Sequence, residues 1–431
     1  MGSEPRNMRL DGIYKQRQEG YFMQRVKLPA GVLSAEQAYK VAAVAERFGR
    51  GTVHLTTRGS MEVHWLVEGD LPRVKQELAK VGLTSRGACG GAVRGVTCSS
   101  QGAAAFPGLE SLARRLQRHF TGNPRFEGLP KKFKIGIEAD TAGGRHLIQD
   151  VGLVLSGSDA GVSTYDVWIA GGLGREPRAG FLLAAGVREE RLLPVIEAVV
   201  AVYARLAPPP KRLKFLAREL GEDEVRRLIE AEPVYGEQLP PAHGFADNVT
   251  PEVAGGGRLV APVFAGQLTS ARLRDLAAFA DEYAGGVLQV TADQDIAYPL
   301  AAGVDAGRAA RELAAIAGTS PGGAAPVTFR ICPGSHECSM GLAETRNVAA
   351  ELLGVMGPAA RGEAWALSGC PNSCSQPQLA PLGIVVAKLV AMEDGSRSPR
   401  FDLYRRGGGG LGEKVREQLT LGELTEFVKS V

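Results

Sequence analysis

The sequence predicts an α+β protein of two pseudo-symmetric halves, and three observations carry that prediction. Residues 31–82 align without a gap on 266–317, at a constant offset of 235. Gly31, Ser34, Phe48, Gly51 and Thr56 meet Gly266, Thr269, Tyr283, Gly286 and Thr291, and Asp70, Arg73, Glu77 and Leu78 meet Asp305, Arg308, Glu312 and Leu313. Matched Gly, Thr and Asp positions at one offset point to a duplicated unit. Within each copy the hydrophobic period switches between that of a strand and that of a helix in the order βαββα, which places helices on one face of a mostly antiparallel sheet. At 431 residues with 44% hydrophobic content, the chain is also long enough for several domains with sizeable cores.

Each copy opens with a strand, 22–28 or 258–264, that leads to a helix started by Ser34 or Thr269. Val41, Val44, Ala45 and Phe48 form the apolar stripe of the first helix at i, i+3, i+4 and i+7. Ser34 with Gln37 makes a capping box, and Gly49 and Gly51 end the helix. Alternating segments at 52–56 and 61–66 read as strands, followed by a helix carrying Leu71, Val74, Leu78 and Val81. The Pro-rich stretches APPPKR (207–212) and QLPPAHG (238–244) are candidate joints. The Gly run 407–410 is short enough for a loop.

Composition excludes several functions. A net charge of +3, with no dense Lys/Arg run interleaved with aromatics, gives no case for nucleic acid. No stretch of about 20 uninterrupted apolar residues is present to cross a bilayer. The charged N-terminal segment lacks the apolar core of a signal peptide, so a soluble, cytoplasmic protein is expected.

Six cysteines in a chain of this length do not make a secreted disulfide framework. Four of them form two local pairs: Cys332 and Cys338 in RICPGSHECSMG, and Cys370 and Cys374 in GCPNSCSQ. Two pairs of thiolates suit tetrahedral zinc or an iron–sulfur cluster, and the wide C-x5-C spacing favours the bulkier cluster.

C-x5-C followed about thirty residues on by G-C-P-N-x-C resembles the [4Fe–4S] signature of the siroheme-dependent sulfite and nitrite reductases. FMQRVKLPAGVL, HLTTRGSMEVHW, VRGVTCSS, LPKKFKIGI and KRLKFL resemble the same family, in the family's order, from about residue 20 to 425. The resemblance implies that the duplicated βαββα units are ferredoxin-like, joined by further α/β segments that bind siroheme and cluster. The expected division is a first ferredoxin-like half-domain (1–85), a siroheme and substrate region (86–245), a second half-domain (246–320) and a cluster and siroheme region (321–431).

By the same resemblance Cys332, Cys338, Cys370 and Cys374 hold a [4Fe–4S] cluster, with Cys374 bridging it to the siroheme iron. Arg25, Arg94, Lys132 and Lys134 match the family's anion-binding positions, and Arg58 and His64 match positions that line siroheme. The chemistry needs such cations. A small oxyanion must be drawn to iron beside the carboxylates of the macrocycle, and each leaving oxygen must be protonated. Lys132 and Lys134 alternate along an expected strand and so share a face, which leaves Lys131 on the other. Gly59 and Glu62 depart from the pattern, standing where sulfite reductases usually have Gln. Under the repeat, Arg25 and Arg58 fall on Val260 and Asp293, so one half keeps the cations while the cysteines follow the other.

The implied activity is six-electron reduction of sulfite to sulfide, with nitrite to ammonia as the alternative. A second alternative is a precorrin-3B synthase-like monooxygenase of the cobalamin pathway, against which Lys134 argues. A cluster-bearing electron carrier or structural zinc protein is the third. No G-x-G-x-x-G context supports a flavin or NADPH site, so electrons are expected from a separate donor, a ferredoxin or flavoprotein. Cys98 is expected to be a packed thiol, and the role of Cys89 is not legible.

Overall fold

The computed structural model describes residues 6–100, 102–238, 257–318 and 326–431. The two βαββα copies are built as expected, with ends shifted by a few residues. In the first, strand Tyr21–Val26 precedes helix Ala35–Phe48, and strands Thr52–Leu55 and Met61–Val67 precede helix Leu71–Ala79. The first strand stops short of 28 because a tight turn at Pro29–Gly31 redirects the chain, and Val81 lies beyond the end of the second helix. In the second copy, strand Arg258–Ala261 precedes helix Ser270–Tyr283, then come strands Val287–Val290 and Ile296–Pro299 and helix Ala306–Ala317.

Local chemistry explains these boundaries. The Ser34 hydroxyl accepts from Gln37 N (3.2 Å) and the Gln37 side chain accepts from Ser34 N (3.1 Å), a complete capping box. In the second copy Thr269 accepts from Arg272 N (3.2 Å), and the box stays half made because Arg has no acceptor to return. The duplication also shows in the backbone. Ala30 and Ala265, at the same 235 offset, both adopt positive φ (53° and 54°), as do Gly59 and Gln294 (60° and 68°).

The two copies exchange short strands. Val32–Ser34 pairs with Val287–Val290 in the sheet of the second copy, and Gln267–Thr269 pairs with Thr52–Leu55 in the sheet of the first. A Cβ on Gly31 would lie 2.3 Å from Val290 O, so this crossing needs glycine. Residues 13–83 and 261–317 consequently share one core, which includes Val41, Val63, Leu273 and Tyr298.

A second core is built mainly from residues 93–235, with Ala30, Val32 and Val287 of the two copies packed into it. Its mixed sheet runs Phe181–Arg188, Val162–Ile169, Val151–Asp159, Ile135–Glu138, Thr97–Cys98, with helices Phe106–Phe120 and Glu189–Leu206 packed on it. The 207–212 stretch joins two helices of this core, with Ala207 and Arg212 buried. Of 238–244, only Gln238 is among the described residues.

The third core, around buried Trp365, lies in the C-terminal segment. Strands Phe329–Ile331, Trp365–Ser368 and Leu382–Ala391 are parallel, and Arg397–Arg405 and Glu413–Leu419 continue antiparallel. The Gly run 407–410 lies in the connection between those last two strands. No helix among the described residues is long and apolar enough to cross a membrane.

Candidate functional site

Cys332 and Cys370 follow neighbouring parallel strands, Phe329–Ile331 and Trp365–Ser368, so both cysteine loops leave the same sheet end. The loops are laced together by Cys332 N to Leu367 O (3.3 Å), Leu342 N to Gly369 O (2.8 Å) and Gly369 N to Cys332 Sγ (3.1 Å). Their backbones touch at Gly369, where a Cβ would lie 2.8 Å from Gly334 Cα. Left-handed Ser373 and Gln376 turn the second loop outward, leaving Cys374 exposed while Cys370 is buried and Cys332 and Cys338 are half-buried.

The four thiols feel one another. Burial and then Cys374 push Cys338 up to about 12, and the same two causes raise Cys332 and Cys370. Burial keeps these three groups as neutral thiols, and a multivalent positive centre such as an iron–sulfur cluster is what would turn them into thiolate ligands.

The cations come from the other two cores. Arg25 lies on strand Tyr21–Val26, cross-strand from Glu62. Arg58 occupies the turn between Thr52–Leu55 and Met61–Val67, where it donates to Gln149 Oε1 and Gly95 O, both at 2.9 Å. Arg94 N donates to Phe133 O (2.8 Å), and its buried guanidinium donates to Gly87 O (3.2 Å) and Gly90 O (2.8 Å).

Lys132 and Lys134 flank Phe133, which is fully buried in the second core; Lys131 is exposed. The regular strand starts only at Ile135, so the expected alternation occurs in an extended lead-in held by the bridge from Phe133 to Val93. Neither lysine ammonium has a hydrogen-bond partner among the described residues. Burial, and then neighbouring cations, lowers Lys134 well below the ordinary lysine range. Lys132 is brought down to about 8 by burial, against the pull of Cys374.

Mutual repulsion shows that these cations converge. Lys134 feels Lys132, Arg58 and Arg212; Arg58 feels Arg94 and Arg25; Lys132 feels Arg212 and Arg94. Asp150 lies among them, but its Oδ2 is taken by Arg212 (2.8 Å) and by Lys134 N (2.9 Å). A buried excess of positive charge fits a polyanionic group, as siroheme with its ring of carboxylates is.

The cations and the cysteines meet at one place. Thr57, beside Arg58, donates its hydroxyl to Cys374 O (2.8 Å), Gln376 Nε2 donates to Thr57 O (3.1 Å), and Lys132 is an electrostatic neighbour of the Cys374 thiol. His64 is buried, with Nε2 3.3 Å from Glu62 Oε2 and no hydrogen-bond partner for Nδ1 among the described residues. Cys98 packs in the second core, where burial and Glu138 raise it far above the ordinary thiol range. Cys89 is buried against Arg25, with its sulfur 3.6 Å from Nη1.

Comparison with known proteins decides the family. Residues 14–81 and 255–317 each match the nitrite/sulfite reductase ferredoxin-like half domain, and residues 90–235 match the nitrite and sulphite reductase 4Fe-4S domain. The chain belongs to the siroheme-dependent nitrite and sulfite reductase family. It is an oxidoreductase of that family, whose cofactors are siroheme and a [4Fe–4S] cluster.

The chain is 29% identical to an assimilatory ferredoxin-dependent nitrite reductase of Haloferax mediterranei, over 94% of this chain and 76% of that protein. It is 25% identical to sulfite reductase [ferredoxin] 1 of Mycolicibacterium paratuberculosis, over 97% of this chain and 83% of that one. The fold matches the structure of the Mycobacterium tuberculosis NirA protein with a TM-score of 0.82 at 23% identity, covering 98% of this chain and 85% of that one.

The site includes residues that sequence reasoning passed over. Lys27, buried, donates to Thr121 Oγ1 (2.8 Å) and is pushed down to about 7 by burial and Arg94. Arg330 stands two residues before Cys332 and is 5% exposed. Its Nε donates to Ser375 O (3.1 Å), Nη2 to Gln376 O (3.3 Å) and Nη1 to Asp293 Oδ1 (3.0 Å). Asp293 is the repeat counterpart of Arg58, and the next residue, Gln294, binds Ile331 at both N and O (2.7 and 2.9 Å). The duplicated turn thus clamps the cluster strand in one half and touches the Cys374 loop in the other. The signal was present in the repeat, where Asp stands opposite Arg. Arg330→Met strips donors from two buried carbonyls, and because Asp293 is partly exposed and keeps Arg145, the expected loss is about 2 kcal/mol, read as a lower thermal midpoint.

Proposed function

We propose that this enzyme reduces sulfite to sulfide by six electrons at a siroheme coupled to a [4Fe–4S] cluster, and that nitrite, reduced to ammonia, enters the same pocket. The observation that carries the reading is the hydrogen bond from Thr57, beside Arg58, to Cys374 O (2.8 Å), which joins the cationic pocket to the cysteine loops at one point. The nitrite reading is favoured by the nitrite reductases among the relatives.

When bound, siroheme and cluster would relay electrons from the donor and offer an iron to the anion. The chain does the rest. Cys332, Cys338, Cys370 and Cys374 would hold the cluster, and Cys374 would also serve siroheme. Arg58 and His64 line the macrocycle. Arg94, Lys132 and Lys134 draw the oxyanion in, and the lysine Nζ atoms hold protons for each oxygen that leaves as water. Thr57 holds the Cys374 carbonyl and so the backbone from which its sulfur projects. The donor is a ferredoxin, as the names of the relatives suggest.

The test is the visible spectrum with iron, sulfide and zinc analysis, followed by steady-state kinetics with sulfite and nitrite and a reduced dye. About four non-haem irons and one siroheme per chain are expected. Zinc without acid-labile sulfide, or turnover of neither anion by the loaded protein, would overturn the reading.

A further inference from the structure

We propose that Glu62 sets the charge preference of the anion pocket: by pairing with Arg25 it cancels one positive charge there, lowering the pocket's preference for dianionic sulfite and so admitting monoanionic nitrite. The inference rests on the sulfite and nitrite reading above and assigns the selectivity of that site to one residue.

Arg25 commits its guanidinium to protein groups. Nε and Nη2 both donate to Glu62 Oε1, at 3.0 and 2.5 Å, while Nη1 reaches Ala88 O (3.3 Å) and the Cys89 sulfur (3.6 Å). The pair is held by cross-strand registration of Arg25 with Glu62, and the Glu62 side chain is 7% exposed against 28% for Arg25. His64 Nε2 approaches the other carboxylate oxygen, Oε2 (3.3 Å).

Among the described residues, Arg94, Lys132 and Lys134 have no carboxylate partner. Arg94 donates to two carbonyls and the two lysine ammoniums to no acceptor among the described residues, while Asp150 is committed to Arg212. Arg25 lies within electrostatic reach of Arg94 and Arg58, so the charge that Glu62 cancels belongs to the same field. The carboxylate stays ionised, since Arg25 and His64 hold it far below the ordinary range in spite of burial. A field acts on a ligand in proportion to the ligand's charge, so one cancelled charge counts twice against a dianion and once against a monoanion.

The experiment titrates the oxidised, siroheme-loaded enzyme with sulfite and with nitrite and follows the siroheme absorption bands, at one alkaline pH where sulfite is fully deprotonated. Holding the oxidation state fixed matters because Glu62 is also an electrostatic neighbour of Cys338. Glu62→Gln keeps the shape and removes the charge. Nitrite should bind about threefold tighter and sulfite about tenfold tighter, while Glu62→Asp, which keeps the charge, leaves the ratio of the two dissociation constants near that of the parent. If Glu62→Gln does not take up siroheme, Glu62→Ser removes the same charge and should shift the ratio the same way.

An unchanged ratio in the charge-removing variant, or an equal shift in Glu62→Asp, overturns the inference while leaving the enzyme a reductase. Parent protein that binds neither anion overturns the underlying reading instead.

Discussion

Cys374→Ser removes the siroheme absorption and disturbs the cluster together, whereas Cys98→Ser leaves both in place. Cys374 is exposed, turned out of its loop by left-handed Ser373 and Gln376, and its backbone is fixed from the neighbouring half by Thr57. It is also the thiol that the other three cysteines of the cage all feel. A serine hydroxyl fits the same space but is a hard, weakly acidic ligand and a poor substitute for a thiolate on iron. The expected result is a protein that folds, with little siroheme and reduced iron and sulfide. Cys98 lies in the second core beside Glu138; it lines a small cavity with Arg58 and Gln376 but belongs to neither cysteine loop, so its loss costs packing only. Absorption spectra and iron content decide the matter. A Cys374→Ser enzyme with parental spectra and turnover would remove the bridging role.

Lys132→Met and Lys134→Met each lower turnover by roughly 10²–10³, or about 2.7–4 kcal/mol, the usual cost of losing one preorganised donor to a transition state. Methionine keeps much of the apolar stem, so the siroheme spectrum persists and the loss belongs to chemistry rather than folding. Lys131→Met is nearly silent, because Lys131 points to solvent. Arg94→Met is expected to lose activity too, but it also strips the donors from Gly87 O and Gly90 O, so its loop loosens and siroheme retention falls. Dye oxidation with sulfite, measured beside the absorption spectrum, separates these cases. A crippled Lys131→Met beside near-normal Lys132→Met and Lys134→Met would show that the pocket is assigned to the wrong face.

Much of this was written locally in the chain. The 235-residue repeat is legible because Gly, Thr and Asp hold turns and caps by their own chemistry, and the paired positive φ values of Ala30 and Ala265 follow it. The Ser34 and Gln37 cap is a three-residue signal. The two cysteine pairs are legible because ligand spacing is a property of single loops. Where the pattern was local but its setting was not, the reading was right in face and wrong in element. Lys132 and Lys134 do alternate, but in a lead-in rather than a strand.

Tertiary structure alone decided what meets across the chain. Hydrophobic period reports which face of a strand is buried but not which strand it joins, so the exchange of Val32–Ser34 and Gln267–Thr269 between halves, and the single core that results, had no local signal. Charges are less legible still, since an ion pair depends on distance in space and not on spacing in sequence. Glu62 could be seen as a departure from a pattern, yet only the pairing of its strand with Tyr21–Val26 places it on Arg25. Likewise Asp293 could be seen opposite Arg58 in the repeat, but only the packing of the third core against the first gives it Arg330 to hold, and through Arg330 the loop that carries Cys374.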